Sequence, residues 1–557
     1  MDGREKRIRR LILFGVLVLG GCSRPPGKQM VVLGVDGMDP VFVERHRAEL
    51  PNLSRFRSGM SRLRTTTPPQ SPVAWSTFAT GLRPEEHGIF DFVHLDPTSG
   101  RTFSSMGESE PARFAISLGA WTLPLSSGRM KLFRRGVTFW ELLERAGIPV
   151  ELIHMPVNYP PTGTRALSGM GTPDLEGTFG TSVVYTREPA NGRLDLSIVG
   201  PPNPYRRDGR KLSASLPVFV DPVEPAMLVE GHDRRYIVAV GEWSPWIRVR
   251  VGPVRGMIRL YARELHPHIQ IYRSPLVADP AEPALSISKS GSFGRDLAAR
   301  IGPYSTLGIP EDAAGVRQGL LTLDEYLGQS RTVAEEEHRI LVDRLEHFRD
   351  GLLFFYFSEI DQDSHLLWGR DDARLMETYR GVDRAVGLVL DRLPNATVML
   401  LSDHGFGRFD FAVNLNAKLT DARAEGLNAV YVKDRGKIAD VRRQLLDWRD
   451  PIGGDRVVSS VHVVGKSWSP YRPDLIVGYA AGYRAAWDDK GPSIAANTDA
   501  WIGDHCVDAA LVPGVLFGTR RQAAENPGLE DLAVTILREF DVAPDPGMKG
   551  RDLWQRH

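Results

Sequence analysis

The stretch Met30-Val31-Val32-Leu33-Gly34-Val35-Asp36-Gly37 decides the fold. Its first six residues carry no polar side chain and include three β-branched valines, the pattern of a strand buried on both faces. Asp36-Gly37 then ends the run with a carboxylate and a turn residue. The same order recurs twice downstream: a helical pattern at 323–348 leads into the apolar run 352–357, and another at 373–393 into 396–401. Asp361 and His365 follow the first run, and Asp403 and His404 the second. Between the outer copies, 138–146 reads as an amphipathic helix and 149–153 as the strand after it. This alternation predicts an α/β fold, a central mostly parallel sheet with helices on both faces. In such a sheet, reactive groups collect beyond the carboxyl ends of the strands.

A helix is expected from Asp39 to Leu50. A second should start at Ser71, read as its N-cap, with Pro72 in the first helical position and Gly81 closing it. From 183 to 276 the pattern changes to short alternating runs broken by Pro and Gly, including 235–240, 246–251 and 257–262. The division expected is a leader at 1–22, a linker at 23–29, core segments at 30–182 and 283–557, and a β-rich insertion at 183–282.

With 557 residues and 42% hydrophobic content, the chain can bury a large core. Its 69 basic and 69 acidic residues cancel, so no global field points to nucleic acid. Arg4, Lys6, Arg7, Arg9 and Arg10 precede the apolar run Leu11 to Leu19 and then Gly20-Gly21-Cys22. That is a signal-peptide pattern, far short of the ~20 residues a membrane-spanning helix needs. Leu-Gly-Gly-Cys resembles a bacterial lipobox, which makes Cys22 the expected lipidation site. Ser23 after it fits an exported lipoprotein on the periplasmic face of the outer membrane. The other cysteine, Cys506, leaves no intramolecular disulfide to form once Cys22 is acylated, and reads as a small packing residue.

Asp36, Ser71, Asp361, His365, Asp403, His404 and His505 together spell a two-metal phosphate-ester site. Paired divalent ions stabilise both the attacking and the leaving oxygen of an in-line displacement. Mixed carboxylate and imidazole donors suit Zn2+, with Mn2+ or Fe as competitors. The helix N-terminus at Ser71 favours an anionic phosphoryl group. Asp363 lies close enough to Asp361 to exchange roles with it. His87 reads as a structural loop residue, and Asn497 and Trp501 as pocket residues ahead of His505. Trp243, Trp246 and Tyr261 read as core aromatics of the β-rich segment.

Five stretches, VVLGVDGMD (31–39), TPPQSPVAWSTFATGLRPEEHGIFDF (67–92), SEIDQDSH (358–365), LSDHGFG (401–407) and NTDAWIGDHCVDAALVPGVLF (497–517), resemble the type I phosphodiesterase/nucleotide pyrophosphatase branch of the alkaline phosphatase superfamily. The resemblance implies that Asp361, His365 and His505 hold one metal, and that Asp36, Asp403, His404 and the Ser71 oxygen hold the other. It also implies attack by Ser71 and a covalent phosphoseryl intermediate, on a small-molecule or lipid phosphate ester. No Arg closely follows Ser71 to grip a monoester, which turns the expectation toward diesters or nucleotide-type pyrophosphates. A phosphotransferase acting on a lipid or glycan acceptor is the nearest rival. A non-catalytic binding lipoprotein is a third reading.

Overall fold

The computed structural model describes residues 27–554, apart from 111, 127, 188–191 and 452. The leader, Cys22 and Ser23 lie outside the described residues. The central sheet has seven strands: β1 (Gln29–Val35), β2 (Ser61–Leu63), β3 (Val150–Met155), β4 (Arg165–Ser168), β5 (Gly351–Phe357), β6 (Thr397–Leu401) and β7 (Gly514–Gly518). Their order is β4-β3-β5-β1-β6-β7-β2. Pairings from β4 across to β6 are parallel, while β7 and β2 add antiparallel edges. Leu33 sits level with both Phe355 and Leu400, so β1, β5 and β6 end together. The segments carrying Asp36, Asp361 and Asp403 therefore leave the sheet side by side.

Each central strand feeds two cores, because successive side chains point to opposite faces. Val31, Leu33, Phe355 and Leu400 join one apolar cluster with α2 (Leu323–His347) and α4 (Asp372–Arg392). Met30, Val32, Phe354 and Met399 join the other, with α1 (Ser71–Thr80) and α5 (Leu529–Glu539). A strand exposed on neither face has no use for polar residues, which explains the unbroken apolar runs. The chain is thus a mixed α/β protein with helices covering a largely parallel sheet.

The expected helix from Asp39 is shorter than its pattern suggested. It spans Pro40–Arg45 and passes at His46 into the 3₁₀ turn Arg47–Glu49; Pro51 disfavours helical backbone at Leu50. Ser71 is the first helical residue and Gln70 the N-cap, so Pro72 falls one place later than expected. The run read at 257–262 divides at Arg259 into strands Val254–Ile258 and Leu260–Glu264, which belong to different sheets. Arg259 itself pairs with Glu336 of α2.

Strands between Val183 and Ala278 form antiparallel sheets with an apolar cluster of their own, including Leu196, Val218, Val249 and Ile271. A second such region was not foreseen. Ala422–Glu425, Ala429–Val432, Leu475–Tyr479 and Val458–Val463 make a four-stranded sheet packed around Val430, Leu445 and Val477. Trp243 and Tyr261 pack at 5.1 Å with their rings tilted by 46°, and the Trp243 indole donates to the Glu325 carbonyl of α2. No helix among the described residues is long and apolar enough to cross a membrane.

Candidate active site

Two triads of buried donors meet beyond the carboxyl ends of β1, β5 and β6. Asp361, His365 and His505 form one, and Asp36, Asp403 and His404 the other; within each, one donor atom per residue lies inside 4.8 Å of the rest. Asp361 and His365 are one helical turn apart on α3 (Glu359–Leu367), which brings both side chains onto one face. The rings of His404 and His505 stack at 3.6 Å and 9°, joining the triads into one centre.

All three imidazoles are oriented alike. Nδ1 of His365 reaches the Gly503 carbonyl at 2.8 Å, Nδ1 of His505 the Pro69 carbonyl at 2.7 Å, and Nδ1 of His404 the Gly405 carbonyl at 3.2 Å. A carbonyl only accepts, so each Nδ1 carries the proton and each Nε2 is left to ligate. Those Nε2 atoms face carboxylates: His404 lies 3.3 Å from both Asp36 and Asp403, His365 3.5 Å and His505 3.6 Å from Asp361. The Asp361 Oδ1 and Asp403 Oδ2 atoms are buried with no hydrogen-bond partner. Buried acceptors are rarely left so, and a cation in each triad would complete one of them apiece.

The charges make the same demand. Burial works against a protonated His404, yet Asp403 and Asp36 outweigh it and raise the group to about 10, so without a cation Nε2 holds a second proton that a bound metal would replace. Burial and then the Asp36 charge push Asp403 well above the usual carboxylate range. At Asp361, burial is overcome by His365, His505 and His404, which hold it at about 2. Burial and the neighbouring His404 lower His505 to about 4, leaving it neutral at ordinary pH as a ligand must be. The residues fit a pair of divalent ions.

Ser71 stands at the start of α1 with its Oγ 3.2 Å from His404 Nε2 and 3.4 Å from Asp36 Oδ1. Asp36 is fixed on its other side, where Oδ2 accepts from Tyr356 at 2.6 Å and Trp75 at 2.9 Å. Gly37 follows with φ +69°, and a Cβ there would come within 2.9 Å of the Asp361 Cα. Only glycine allows the two segments this approach.

Asp363 settles its alternative by pointing away from the centre. It accepts from Tyr326 at 2.8 Å and Ser330 at 3.1 Å, both on α2, and from Thr378 on α4. His87 ends a one-turn helix, Pro84–His87, rather than lying in a loop, and its ring is buried against Thr77 at 3.0 Å. Trp501 stacks on His365 at 3.7 Å and lines the cleft over the centre. Asn497 does not line it; its amide donates to the Trp501 and Phe409 carbonyls and braces that loop. Cys506 is buried, with Sγ 3.8 Å from His505 Nδ1.

Sequence reasoning missed several supports. Asp504 accepts from Arg484 at 3.0 Å, Trp501 at 3.0 Å, and the backbone of His505 and Cys506 at 2.8 Å each, so it positions His505 rather than offering itself to an ion. Gln70 donates to Asp91 at 3.0 Å and Asn428 at 2.7 Å, and Asn428 donates to the Cys506 carbonyl at 3.2 Å. That chain ties the Ser71 loop to the His505 loop. The one visible signal was a charged residue inside an apolar context, Asp91 in Ile89-Phe90-Asp91-Phe92-Val93.

A family model for type I phosphodiesterase/nucleotide pyrophosphatase matches residues 30–224 and 285–479. Six of the seven centre residues fall in the matched stretches, and His505 lies beyond the second. The unmatched interval, 225–284, takes in the later part of the β-rich segment and runs just past its end. The match spans more than half of the chain, which therefore belongs to the type I phosphodiesterase/nucleotide pyrophosphatase family of the alkaline phosphatase superfamily, a family of metal-dependent hydrolases.

Proposed function

We propose that the protein hydrolyses phosphodiesters through a phosphoseryl intermediate on Ser71, with one divalent ion in each triad. The observation that supports this most is the Ser71 hydroxyl aimed at the His404 and Asp36 atoms that complete the second triad. Bound zinc ions would neutralise phosphate oxygens and favour the serine alkoxide at neutral pH. Asp36, held by Tyr356 and Trp75, keeps its Oδ1 toward Ser71. Attack forms the bond from Ser71 Oγ to phosphorus and breaks the bond to the leaving alcohol, which departs with a proton from water. A water then cleaves the phosphoseryl ester, releasing the phosphomonoester and restoring the hydroxyl.

The cleft argues for the kind of diester. It encloses about 560 Å³ and is lined by Phe92, Met170, Phe179, Leu307, Ile309 and Trp487 among others. Arg484 is the only Lys or Arg among its described lining residues, and it is committed to Asp504. Asp488, Asp489 and Glu425 add negative charge. Beyond the metal pair, a polyphosphate chain would find no uncommitted Lys or Arg among the described lining residues, whereas a diester with an apolar or cationic alcohol would be accommodated. A lipid-type phosphate ester suits this lining better than a nucleotide.

The test uses purified, zinc- or manganese-loaded protein with bis-p-nitrophenyl phosphate, p-nitrophenyl phosphate and a nucleotide p-nitrophenyl ester. Diester turnover should lead, and Ser71→Ala should lower it by at least about a thousandfold while keeping the metal content. Preference for the monoester would overturn the diester assignment. Full activity in Ser71→Ala would overturn the nucleophile.

A further inference from the structure

A second carboxylate cluster lies beside the two triads, and one of its members, Glu311, also lines the cleft. Glu311 comes from the loop before the short helix Ala313–Arg317, Glu337 from the middle of α2, and Glu359 from the first turn of α3. All three are buried, at 3%, 3% and 5% exposure, and each places an oxygen within 4.8 Å of the other two. Among the described residues, none of the three pairs with a Lys or Arg. Both Glu311 oxygens accept from the Ser358 hydroxyl at 3.0 Å. Glu337 Oε2 and Glu359 Oε2 meet no donor other than each other's carboxyl group. Beside them lies a cavity of about 20 Å³, lined by Glu337, Ser358, His154 and Tyr356, with room for a single water.

Three carboxylates converging away from water must gain protons or a cation, because their mutual repulsion in a low dielectric is severe. Burial and the neighbouring Glu359 charge raise Glu311 to about 8 and Glu337 well above the usual range, the direction such repulsion dictates. A single shared proton can join Glu337 to Glu359 but leaves Glu311 and the remaining negative charge unanswered, whereas an ion seated between the carboxylates engages all three.

We propose that Glu311, Glu337 and Glu359, with the Ser358 hydroxyl and one water, form a binding site for a hard, oxygen-seeking divalent cation, best suited to Ca2+. An all-oxygen donor set contrasts with the imidazole-rich centre beside it and selects a different metal. Mg2+ retains several waters in a strict octahedron, and the adjoining cavity holds one; Ca2+ accepts bidentate carboxylates and irregular geometry. The ion would clamp α2 to the N-terminus of α3, the helix that carries Asp361 and His365.

The site is independent of the reaction proposed above, and its test is designed to stay so. Full-length protein is equilibrated in zinc and millimolar Ca2+, dialysed, and its metals counted by mass spectrometry. One Ca2+ per chain is expected, both in the wild type and in a His365→Ala/His505→Ala variant with a dismantled active centre. Glu337→Gln and, separately, Glu311→Gln should weaken Ca2+ binding by at least about tenfold while zinc content holds. Added Ca2+ should raise the Tm of the wild type and of the double-histidine variant but not of the Glu→Gln variants; circular dichroism identifies a variant that fails to fold. Absence of stoichiometric Ca2+ in the wild type, or its retention in both folded Glu→Gln variants, would overturn the proposal, and a protonated-carboxyl infrared band would then assign the cluster to proton sharing. Loss of phosphodiester turnover alone would touch only the catalytic reading.

Discussion

At the residue scale, the centre depends on side chains that never meet substrate. Tyr356 and Trp75 both donate to Asp36 Oδ2. Hydrogen bonds to a buried carboxylate are worth about 1.5–3 kcal/mol each. Tyr356→Phe should therefore fold normally but lose about ten- to a hundredfold in kcat/KM, with weaker zinc retention; unchanged kinetics would show that Trp75 suffices. Asp504→Asn should be costlier, because it leaves the Arg484 guanidinium, 1% exposed, without its countercharge. A loss of about 3–5 kcal/mol is expected on breaking such a pair, measured by urea unfolding. Of these residues the sequence disclosed the candidate ligands and hid the supports. Ligand types are chemically unusual and recur in order at strand ends. Tyr356 sits in an apolar run and looks like core, and Asp504 directly precedes a stronger candidate, His505.

At the scale of elements, strand and helix types were legible wherever an apolar period ran long enough. β1, β5 and β6 and the helices leading into the last two fall within a residue or two of their patterns. The helix carrying Asp361 and His365 was not foreseen, because only Ile360, Leu366 and Leu367 of its nine residues are apolar. The sheet packed around Val430 and Val477 escaped notice because its strands are four to six residues long. The turn after β1 offers a test at this scale. Gly37→Ala forces a Cβ into left-handed backbone against α3. It should separate the Asp36 and Asp361 segments, cutting zinc affinity and activity together, while far-ultraviolet circular dichroism keeps its α/β shape.

For the whole molecule, acid should be more damaging than alkali. Burial, followed by the charge of Arg134, lowers His87 to about 3, and burial lowers His94 to about 4, against a usual value of 6.5. Between those limits the unfolded chain takes up protons that the folded chain refuses. Stability is thus full above about pH 6.5 and falls as the pH drops toward 4 and then 3, by about 1.4 kcal/mol per pH unit for each histidine. Urea midpoints measured from pH 7 to pH 4 check this, and His94→Phe, placed among Phe103, Phe133 and Tyr471, should flatten the curve. Removing the metals should also lower the Tm. Ions present at about a thousandfold over their Kd contribute about 4 kcal/mol, and restoring zinc should recover the loss.

The bond from His505 to the Pro69 carbonyl spans 436 positions. Its partners come from nearly opposite ends of the chain, so a ribosome must deliver almost the entire polypeptide before the reactive serine acquires its full surroundings. Five parallel strands can assemble earlier, yet a product cut short ahead of His505 would be a shaped but inert scaffold. Turnover in a cell extract would accordingly report completed synthesis, and a nonsense codon as late as position 500 should silence it as thoroughly as one at position 100.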